Sequence, residues 1–225
     1  MATLVAELQR FAPRVLTAYP STALALAEEA DAGRLHLQLQ SVWTGGETLT
    51  PAVRSAVQRA FGAPVVNSYG ASEFLALAGQ CDHGALHLNA DWAVLEPVDA
   101  QYQPVPAGQF GHTTLLTNLA NRVQPLIRYD LGDRVRIHPL PCACGSALPA
   151  IEVEGRSDDC LVLRDPLGRR VRLPPLALVS VLEDVGVFDF QLQQRGDSRL
   201  RLRLAQHGAD AEFGLHRARD ALMAY

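Results

Sequence analysis

The sequence predicts an α/β fold: a partial doubly wound sheet with an antiparallel β subdomain, followed by a small α+β C-terminal domain. Three patterns support this prediction. Apolar strands alternate with amphipathic helices up to about residue 70, which is typical of βαβ units and a parallel sheet. Short alternating segments, interrupted by Pro, Gly and Asn, then indicate antiparallel β structure. Beyond residue 157 the pattern changes again, to a hairpin, two helices and two further strands.

In the first part of the chain, helix boundaries can be assigned from capping residues. Ser21 and Thr50 are placed to cap helices, and Pro51 suits the first position of the second of these. Gly33 and Gly62 follow the last apolar positions and are expected to end the same two helices. We therefore expect helices over residues 2–11, 21–32 and 51–61, and strands over residues 14–18, 39–43 and 64–68.

The second half of the chain is predicted to be rich in β structure. We expect strands over residues 86–88, 92–98, 111–117, 134–137 and 150–153, then a hairpin of residues 160–163 and 171–173 around the turn 165–168, a helix over 175–185, strands over 188–193 and 200–204, and a last helix from about Asp210. The change of pattern near Ser157 places a domain boundary there, so that residues 1–157 and 158–225 form separate domains.

Composition excludes several classes of function. The net charge is −4 and no segment concentrates arginines with aromatics, so we expect no nucleic-acid partner. No apolar run approaches the roughly 20 residues of a membrane span, and the N-terminus lacks the pattern of a secretory signal, so we expect a cytoplasmic protein that does not enter a membrane. All 20 basic residues are arginines. No lysine amine of this chain can take part in chemistry.

Three segments concentrate residues suited to binding a phosphate or a sugar. Residues 45–47 (Gly-Gly-Glu) and 67–73 (Asn-Ser-Tyr-Gly-Ala-Ser-Glu) are expected as loops at the carboxyl ends of parallel strands, where open α/β sheets bind ligands. Their glycines allow close backbone approach, and a hydroxyl with a carboxylate suits a phosphate and its Mg²⁺. In residues 127–133, the aspartate after a glycine turn can accept hydrogen bonds from ribose hydroxyls. For each segment taken alone, an ordinary turn is the favoured interpretation.

The order and spacing of these segments resemble those of one protein family. GGE (45–47), YGASE (69–73), RYDLGD (128–133) and GRSDD (155–159) are similar to the adenine-loop, Tyr-Gly-x-Ser/Thr-Glu, ribose-aspartate and hinge motifs of the adenylate-forming, AMP-binding superfamily. AYPS (18–21), QPLIRYDLGD (124–133), CACG (142–145) and the doubled aspartate of GRSDD resemble the phenylacetate–CoA ligase branch. The resemblance covers residues 14 to about 205.

The resemblance implies a function and a domain assignment. These enzymes activate a carboxylic acid with ATP to give an acyl-adenylate, and coenzyme A or another thiol then takes the acyl group. Residues 1–157 would be the C-terminal part of the large AMP-binding domain, and residues 158–225 an incomplete lid domain. The substrate would be a small carboxylic acid, with aromatic acids among the candidates.

The resemblance also implies residue roles. Gly45, Gly46, Glu47, Tyr69 and Gly70 would line the adenine, and Ser72 would touch phosphate or the acyl-adenylate. Glu73 would hold Mg²⁺ during catalysis, Asp133 and Arg156 would bind the nucleotide, and Asp158 would be the hinge. Asn67 stands where the family often has aspartate, so that adenine contact is altered.

The cysteines and histidines predict a metal site. Cys81, His83 and His87 lie in CDHGALH, and Cys142 and Cys144 lie in CACG. A disulfide framework is unexpected in a cytosolic chain, whereas tetrahedral structural zinc takes four N or S ligands. By resemblance to the same branch, Cys81, His87, Cys142 and Cys144 are the predicted zinc ligands, with His83 as the alternative imidazole. Small core residues without metal remain the other interpretation, and Cys160 is expected as buried filler.

The sequence departs from the family pattern at both ends. The resemblance implies a Ser/Thr/Gly-rich phosphate loop before Leu4 and a catalytic lysine after Tyr225, and the chain carries neither, so it is expected to be truncated. Two hypotheses follow. In the first, the chain is an enzyme or enzyme subunit, and the missing N-terminal part is supplied by a complementary chain or was lost through a mis-set start. In the second, it is a non-catalytic remnant that keeps a nucleotide- or acyl-binding pocket.

Overall fold

The computed structural model describes residues 1–165, 167–204 and 209–225 as a mixed α/β structure in two units, Met1–Val153 and Glu154–Tyr225. This confirms the predicted fold class. The sequence pattern placed the domain boundary after Ser157, four residues beyond the division between the two units of the structure.

The first unit begins with α/β structure and continues with β structure. Its elements are α1 (Ala2–Phe11), β1 (Val15–Ala18), α2 (Pro20–Asp31), β2 (Ser41–Thr44), α3 (Pro51–Phe61), β3 (Val65–Ala71), β4 (Phe74–Gln80), β5 (Leu86–Leu88), β6 (Ala93–Val98), β7 (Thr113–Asn118), β8 (Leu126–Asp130), β9 (Asp133–Ile137) and β10 (Ala150–Arg156), the last of which runs past the division between the units. All helices and strands predicted for this unit are present, with ends that agree or differ by up to three residues, whereas β4 and β8 were not predicted.

A mixed seven-stranded sheet in the order β1-β2-β3-β4-β5-β10-β9 is the main framework. Strands β1, β2 and β3 are parallel, as the βαβ pattern predicts, and β3 to β5 are antiparallel. Strands β6, β7 and β8 form a separate antiparallel sheet. Because β8 belongs to this sheet and β9 to the seven-stranded sheet, the short turn between β8 and β9 joins the two sheets.

The helices of the first unit pack into one hydrophobic core with the parallel strands. Val5 of α1, Leu26 of α2 and Val57 of α3 are buried together with Leu16 and Val42 of the strands. In α3 the predicted caps are confirmed: Thr50 Oγ1 accepts from the Val53 N–H, and Gly62 ends the helix in the left-handed conformation. A second core, which includes Leu77, Leu116 and Val135, lies between the antiparallel strands.

The predicted cap of α2 is wrong. The helix begins at Pro20 with Tyr19 in the cap position, and Ser21 lies inside the first turn. The tyrosine side chain offers no cap hydrogen bond. The acceptor that the first turn needs comes from another loop, which a local sequence pattern cannot show.

The second unit is a small α+β structure. It contains β11 (Leu161–Arg164), β12 (Arg170–Leu173), α4 (Pro175–Asp184), β13 (Phe190–Gln194), β14 (Leu200–Leu204) and α5 (Ala209–Ala224). Both hairpins are antiparallel, and Leu182 of α4 and Ala218 of α5 are fully buried in its core. The predicted hairpin turn lies between β11 and β12, and its Pro166 lies outside the described residues.

Candidate functional site

Three predicted segments come together at one end of the parallel strands. We call them the nucleotide cradle: residues 45–47, residues 67–73 and residues 130–133. Strands β2 and β3 end side by side, with Thr44 paired to Asn67. The backbone of Gly45 lies directly against β3, since a Cβ atom there would stand 2.5 Å from Ser68 Oγ and 3.1 Å from Ser68 O. The glycine is therefore required for the approach of the first segment to the second.

Tyr19 covers the Gly-Gly-Glu loop, which the sequence did not predict. Gly46 has a φ of 78°, and a Cβ atom there would lie 2.6 Å from the Tyr19 ring. Tyr19 itself is exposed on its other side. The signal available in the sequence was the AYPS segment, which was noted for its resemblance but given no role.

Glu47 binds the N-terminus of α2. Its two carboxylate oxygens accept from the backbone N–H and the hydroxyl of Ser21, each at 3.0 Å. An acidic group at the N-terminus of a helix is favourable because the first N–H groups lack partners inside the helix. The carboxylate thus has an observed structural role, while lining of the adenine by Glu47 stays a prediction.

Tyr69 connects the second and third segments of the cradle. It lies in β3, and its hydroxyl donates to Asp133 Oδ2 at 2.7 Å. Asp133 is the first residue of β9, 64 positions further along the chain. The fold therefore brings the predicted adenine-lining tyrosine and the predicted ribose-binding aspartate into direct contact.

The segment 67–73 is not the loop that the sequence suggested. Strand β3 continues through Ala71 and returns as β4, so Tyr69 and Gly70 lie within a strand and Ser72 and Glu73 form the hairpin turn. A Cβ atom on Gly70 would lie 2.0 Å from the Leu75 carbonyl oxygen, which explains the glycine. The carbonyl of Glu73 accepts from Asn118 Nδ2 at 3.1 Å, which ties the turn to β7.

Arg156 and Asp158 lie in the second unit and contact each other. Arg156 Nε donates to Asp158 Oδ1 at 3.1 Å, and both side chains are exposed. The hydrogen bond from the guanidinium lowers the pKa of the Asp158 carboxyl. The two side chains therefore form a surface ion pair, and their roles towards a nucleotide stay predictions.

The predicted zinc ligands form one group, which we call the Cys/His cluster. One ligand atom each from Cys81, His87, Cys142 and Cys144 lies within 4.8 Å of the others. The Sγ atoms of Cys81 and Cys142 are 3.9 Å apart, and Cys144 Sγ is 3.3 Å from His87 Nε2. Tetrahedral zinc with Zn–S bonds of about 2.3 Å places two sulfurs about 3.8 Å apart. The donor set and its spacing therefore fit zinc.

The surroundings of the Cys/His cluster suit metal binding. His87 is 6% exposed, and its Nδ1 lies 2.8 Å from the Leu148 carbonyl, which leaves Nε2 facing the cysteines. The Leu148 contact also raises the pKa of His87. Burial acts to raise the pKa of Cys81, but hydrogen bonds from the backbone and from His87 outweigh it and lower that pKa to about 6. His83, the alternative ligand, is exposed and lies outside the group.

An open cavity lies beside the cradle, on the side of Asn67. Its volume is about 420 Å³, and Asn67 lines it together with Arg54, Gln80, His138 and Glu152. Among the positions expected to contact the adenine, Asn67 belongs to this lining, whereas Gly45, Gly46, Glu47 and Tyr69 do not. The cavity therefore shares Asn67 with the cradle, whose other contacts are those at Gly45, Tyr69 and Asp133.

Comparisons with known proteins agree with the motifs. Residues 1–111 match the family AMP-binding enzyme. The chain is 31% identical over 166 residues to phenylacetate-coenzyme A ligase of Thermus thermophilus, covering 70% of this chain and 37% of that protein. It is 29% identical over 169 residues to phenylacetate-coenzyme A ligase of Escherichia coli, covering 68% and 37%. The chain thus spans well under half the length of these curated relatives.

Among solved structures, the fold is similar to that of 2-hydroxyisobutyryl-CoA ligase in the postadenylation state, in complex with R3-HIB-AMP. The TM-score is 0.78 at 24% identity, and the match covers 99% of this chain and 52% of that one. At this identity the likeness concerns the fold alone. No helix in the described parts of the chain has both the length and the apolarity of a membrane span.

Proposed function

We propose that this chain, which belongs to the AMP-binding enzyme family, binds an adenine nucleotide in the cradle and is an acid–thiol ligase-type protein. One observation carries the proposal: the hydrogen bond from Tyr69 to Asp133, which joins two nucleotide motifs far apart in the sequence. The close approach of Gly45 to Ser68 adds the adenine-loop segment to the same place. A side-chain ring, an accepting carboxylate and a close backbone segment suit an adenosine.

The proposed reaction is the activation of a small carboxylic acid by ATP. The acid attacks the α-phosphate, an acyl-adenylate forms and pyrophosphate leaves, and coenzyme A or another thiol then takes the acyl group. In this scheme Gly45, Gly46 and Tyr69 line the adenine, and Asp133 accepts from the ribose hydroxyls. Ser72 is placed at the phosphate.

Two metal ions belong to the proposal. Glu73, at the β3–β4 turn next to Ser72, would hold Mg²⁺, which would neutralise charge on the phosphates. The Cys/His cluster would hold a structural Zn²⁺ that joins the β4–β5 region to the segment before β10. Hydrogen bonding of His87 to Leu148 supports this assignment, because such outer contacts orient a ligating imidazole.

The second unit would act as the lid. Arg156 would reach the nucleotide, and Asp158 would be the hinge between the two half-reactions. We place the protein in the cytoplasm, where acid, ATP and thiol are available.

A second candidate function follows from the basic residues. All 20 are arginines, so this chain supplies no lysine to the α-phosphate. The planar guanidinium of arginine is a poor replacement at a site shaped for a point charge. The alternative is a non-catalytic nucleotide- or acyl-binding protein, or one subunit of a split adenylating enzyme whose complementary chain supplies the remaining groups.

Calorimetric titration with AMP tests the binding proposal. We expect saturable binding, and we expect Asp133→Ala to weaken it at least about tenfold, since a carboxylate paired with two hydroxyls contributes roughly 1.5–3 kcal/mol. Asp31→Asn, a substitution at the end of α2, is the control that should leave affinity unchanged. Equal affinity of the wild type and Asp133→Ala would refute the cradle.

Exchange of pyrophosphate into ATP separates the two functions. With a panel of aromatic and short-chain acids, we expect no exchange by the chain alone, because no lysine is present. Exchange above background would establish the ligase as complete in this chain and would exclude the non-catalytic alternative. AMP binding without exchange would support the alternative or a split enzyme.

A further inference from the structure

Asp130 lies three residues before Asp133, at the start of the turn that joins β8 to β9. It is the last residue of β8, and Asp133 is the first residue of β9, with only Leu131 and Gly132 between them. The conformation of these two residues therefore decides where the Asp133 carboxylate points. The resemblance of the RYDLGD motif assigns a ligand role to Asp133 and none to Asp130.

The Asp130 carboxylate receives hydrogen bonds from three separate segments. Oδ1 accepts from the Gly132 N–H at 2.9 Å and from the hydroxyl of Thr113, the first residue of β7. Oδ2 accepts from the hydroxyl of Tyr102 at 2.9 Å. The bond to Gly132 closes the turn locally, as aspartate side chains often do. The bonds to Thr113 and Tyr102 fasten that turn to the neighbouring strand and loop.

Backbone contacts hold the remainder of the turn. Leu131 is 6% exposed within the second core, and its N–H donates to Thr114 O at 3.0 Å. Gly132 has a φ of 72°, in the region that glycine adopts without strain. Asp133 then meets Tyr69. Every residue of the turn is thus held by a contact, and the Asp130 side chain bonds to two other segments of the chain.

We propose that Asp130 is a positioning residue, which orients Asp133 towards the nucleotide ribose by fixing the β8–β9 turn. The inference rests on the proposed nucleotide site. Asparagine at this position keeps one oxygen but replaces the other with an amide that donates, so it cannot accept from both Tyr102 and Thr113. The Asp130→Asn variant should therefore loosen the turn without removing its backbone contacts.

Burial acts to raise the pKa of Asp130, but the hydrogen bonds from Thr113, Gly132 and Tyr102 outweigh it and lower that pKa. The carboxyl is therefore ionised at neutral pH, the form in which both oxygens accept. Hydrogen bonds to an ionised acceptor are about twice as strong as those between neutral groups.

The test compares AMP with 2′,3′-dideoxy-AMP, which lacks both ribose hydroxyls. In calorimetric titrations of the full chain, the wild type should prefer AMP by about tenfold or more. Asp130→Asn should weaken AMP binding by about three- to tenfold and leave dideoxy-AMP binding unchanged, since only ribose contacts depend on the position of Asp133. A general loss of protein stability would weaken the binding of both nucleotides equally.

Matched variants separate positioning from folding. Thr113→Val removes the hydroxyl that donates to Asp130 and should reduce the preference for AMP over dideoxy-AMP. Thr113→Ser keeps a hydroxyl at this position and should keep the preference of the wild type. Asp165→Asn removes another turn carboxylate, which accepts from Leu167 N–H and Arg169 N–H in the second unit, and should leave the preference unchanged.

The outcomes distinguish this inference from the proposed function. If the wild type does not prefer AMP, the ribose site itself is wrong and the role of Asp130 falls with it. If Asp133→Ala loses the preference while Asp130→Asn retains it, only the positioning role is refuted. Equal weakening of both nucleotides by Asp130→Asn would also refute it. Selective loss of AMP affinity supports it.

Discussion

The Cys/His cluster and the nucleotide cradle belong to the same unit but are assembled differently. In the cluster, four side-chain ligand atoms lie within 4.8 Å of one another. In the cradle, the backbone of two glycines lies close to neighbouring atoms: a Cβ atom would stand 2.0 Å from the Leu75 carbonyl oxygen at Gly70 and 2.5 Å from Ser68 Oγ at Gly45. We therefore expect the cluster to lose metal binding when a ligand side chain is removed, and the cradle to lose stability when a methyl group is added to one of its glycines.

The largest expected effect is the loss of a metal ligand. Cys142→Ser should reduce bound zinc from about one per chain to well below that, and should lower the unfolding temperature by more than about 10 °C, because metal binding contributes directly to folding in such sites. Elemental analysis and thermal unfolding measure the two quantities.

Cys160→Ser is the control for the cluster. Cys160 lies outside the Cys/His cluster, and its Sγ is 3.8 Å from the Arg156 carbonyl. The substitution should leave both zinc content and unfolding temperature unchanged. A Cys142→Ser protein that unfolds at the wild-type temperature would show that the cluster contributes nothing through metal.

The second effect tests whether the cradle is sensitive to an added methyl. Gly70→Ala should destabilise the chain by about 3 kcal/mol or more, because the new Cβ would meet a backbone oxygen that cannot turn aside. Gly79→Ala, on the partner strand of the same hairpin, has nothing within 4 Å of its Cβ and should change stability by under about 1 kcal/mol. Urea unfolding of both variants gives the free energies. Similar losses of unfolding free energy in Gly70→Ala and Gly79→Ala would contradict the proposed sensitivity of the cradle to an added methyl group.

A third effect concerns the side-chain hydrogen bond from Tyr69 to Asp133, which joins two cradle segments. Tyr69→Phe deletes the hydroxyl that donates to Asp133, so AMP affinity should fall about two- to tenfold, which corresponds to about 0.5–1.5 kcal/mol. Tyr225→Phe, at the C-terminus, should have no effect. Calorimetry at neutral pH measures both. Unchanged affinity in Tyr69→Phe would mean that Asp133 needs no orientation from β3.

The smallest effect sharpens the role of Glu47. Glu47→Ala and Ser21→Ala should each lower the free energy of unfolding by about 1 kcal/mol. The double variant should lower it by about 0.5–1 kcal/mol less than the sum of the two, because the Glu47 carboxylate binds Ser21 at the N-terminus of α2. Chemical denaturation of the four proteins gives this coupling energy. Strict additivity would contradict the cap and return Glu47 to a ligand-binding role alone.

Much of the fold was predictable because its signals are local. Thr50, Pro51 and Gly62 mark the ends of α3 by their own chemistry, and the structure agrees. Strand β4 (Phe74–Gln80) was not predicted, because its residues follow the segment 67–73 expected as a loop and were assigned to no element. Strand β8 was missed because its residues carry a motif whose interpretation was functional. In both cases the pairing partner, not the local pattern, makes the strand.

The sequence by itself carried the motifs of the family resemblance, the α/β pattern, the helix caps of α3 and the cysteines and histidines from which the Cys/His cluster was predicted. These depend on residue type and spacing, which a chain carries without folding. Only the tertiary structure decided that Tyr69 donates to Asp133, that Glu47 binds α2 and that Asp130 holds three segments together. Such contacts join residues distant in sequence, and hydrogen bonding acts over about 3 Å in space, so only the folded path of the chain can determine them.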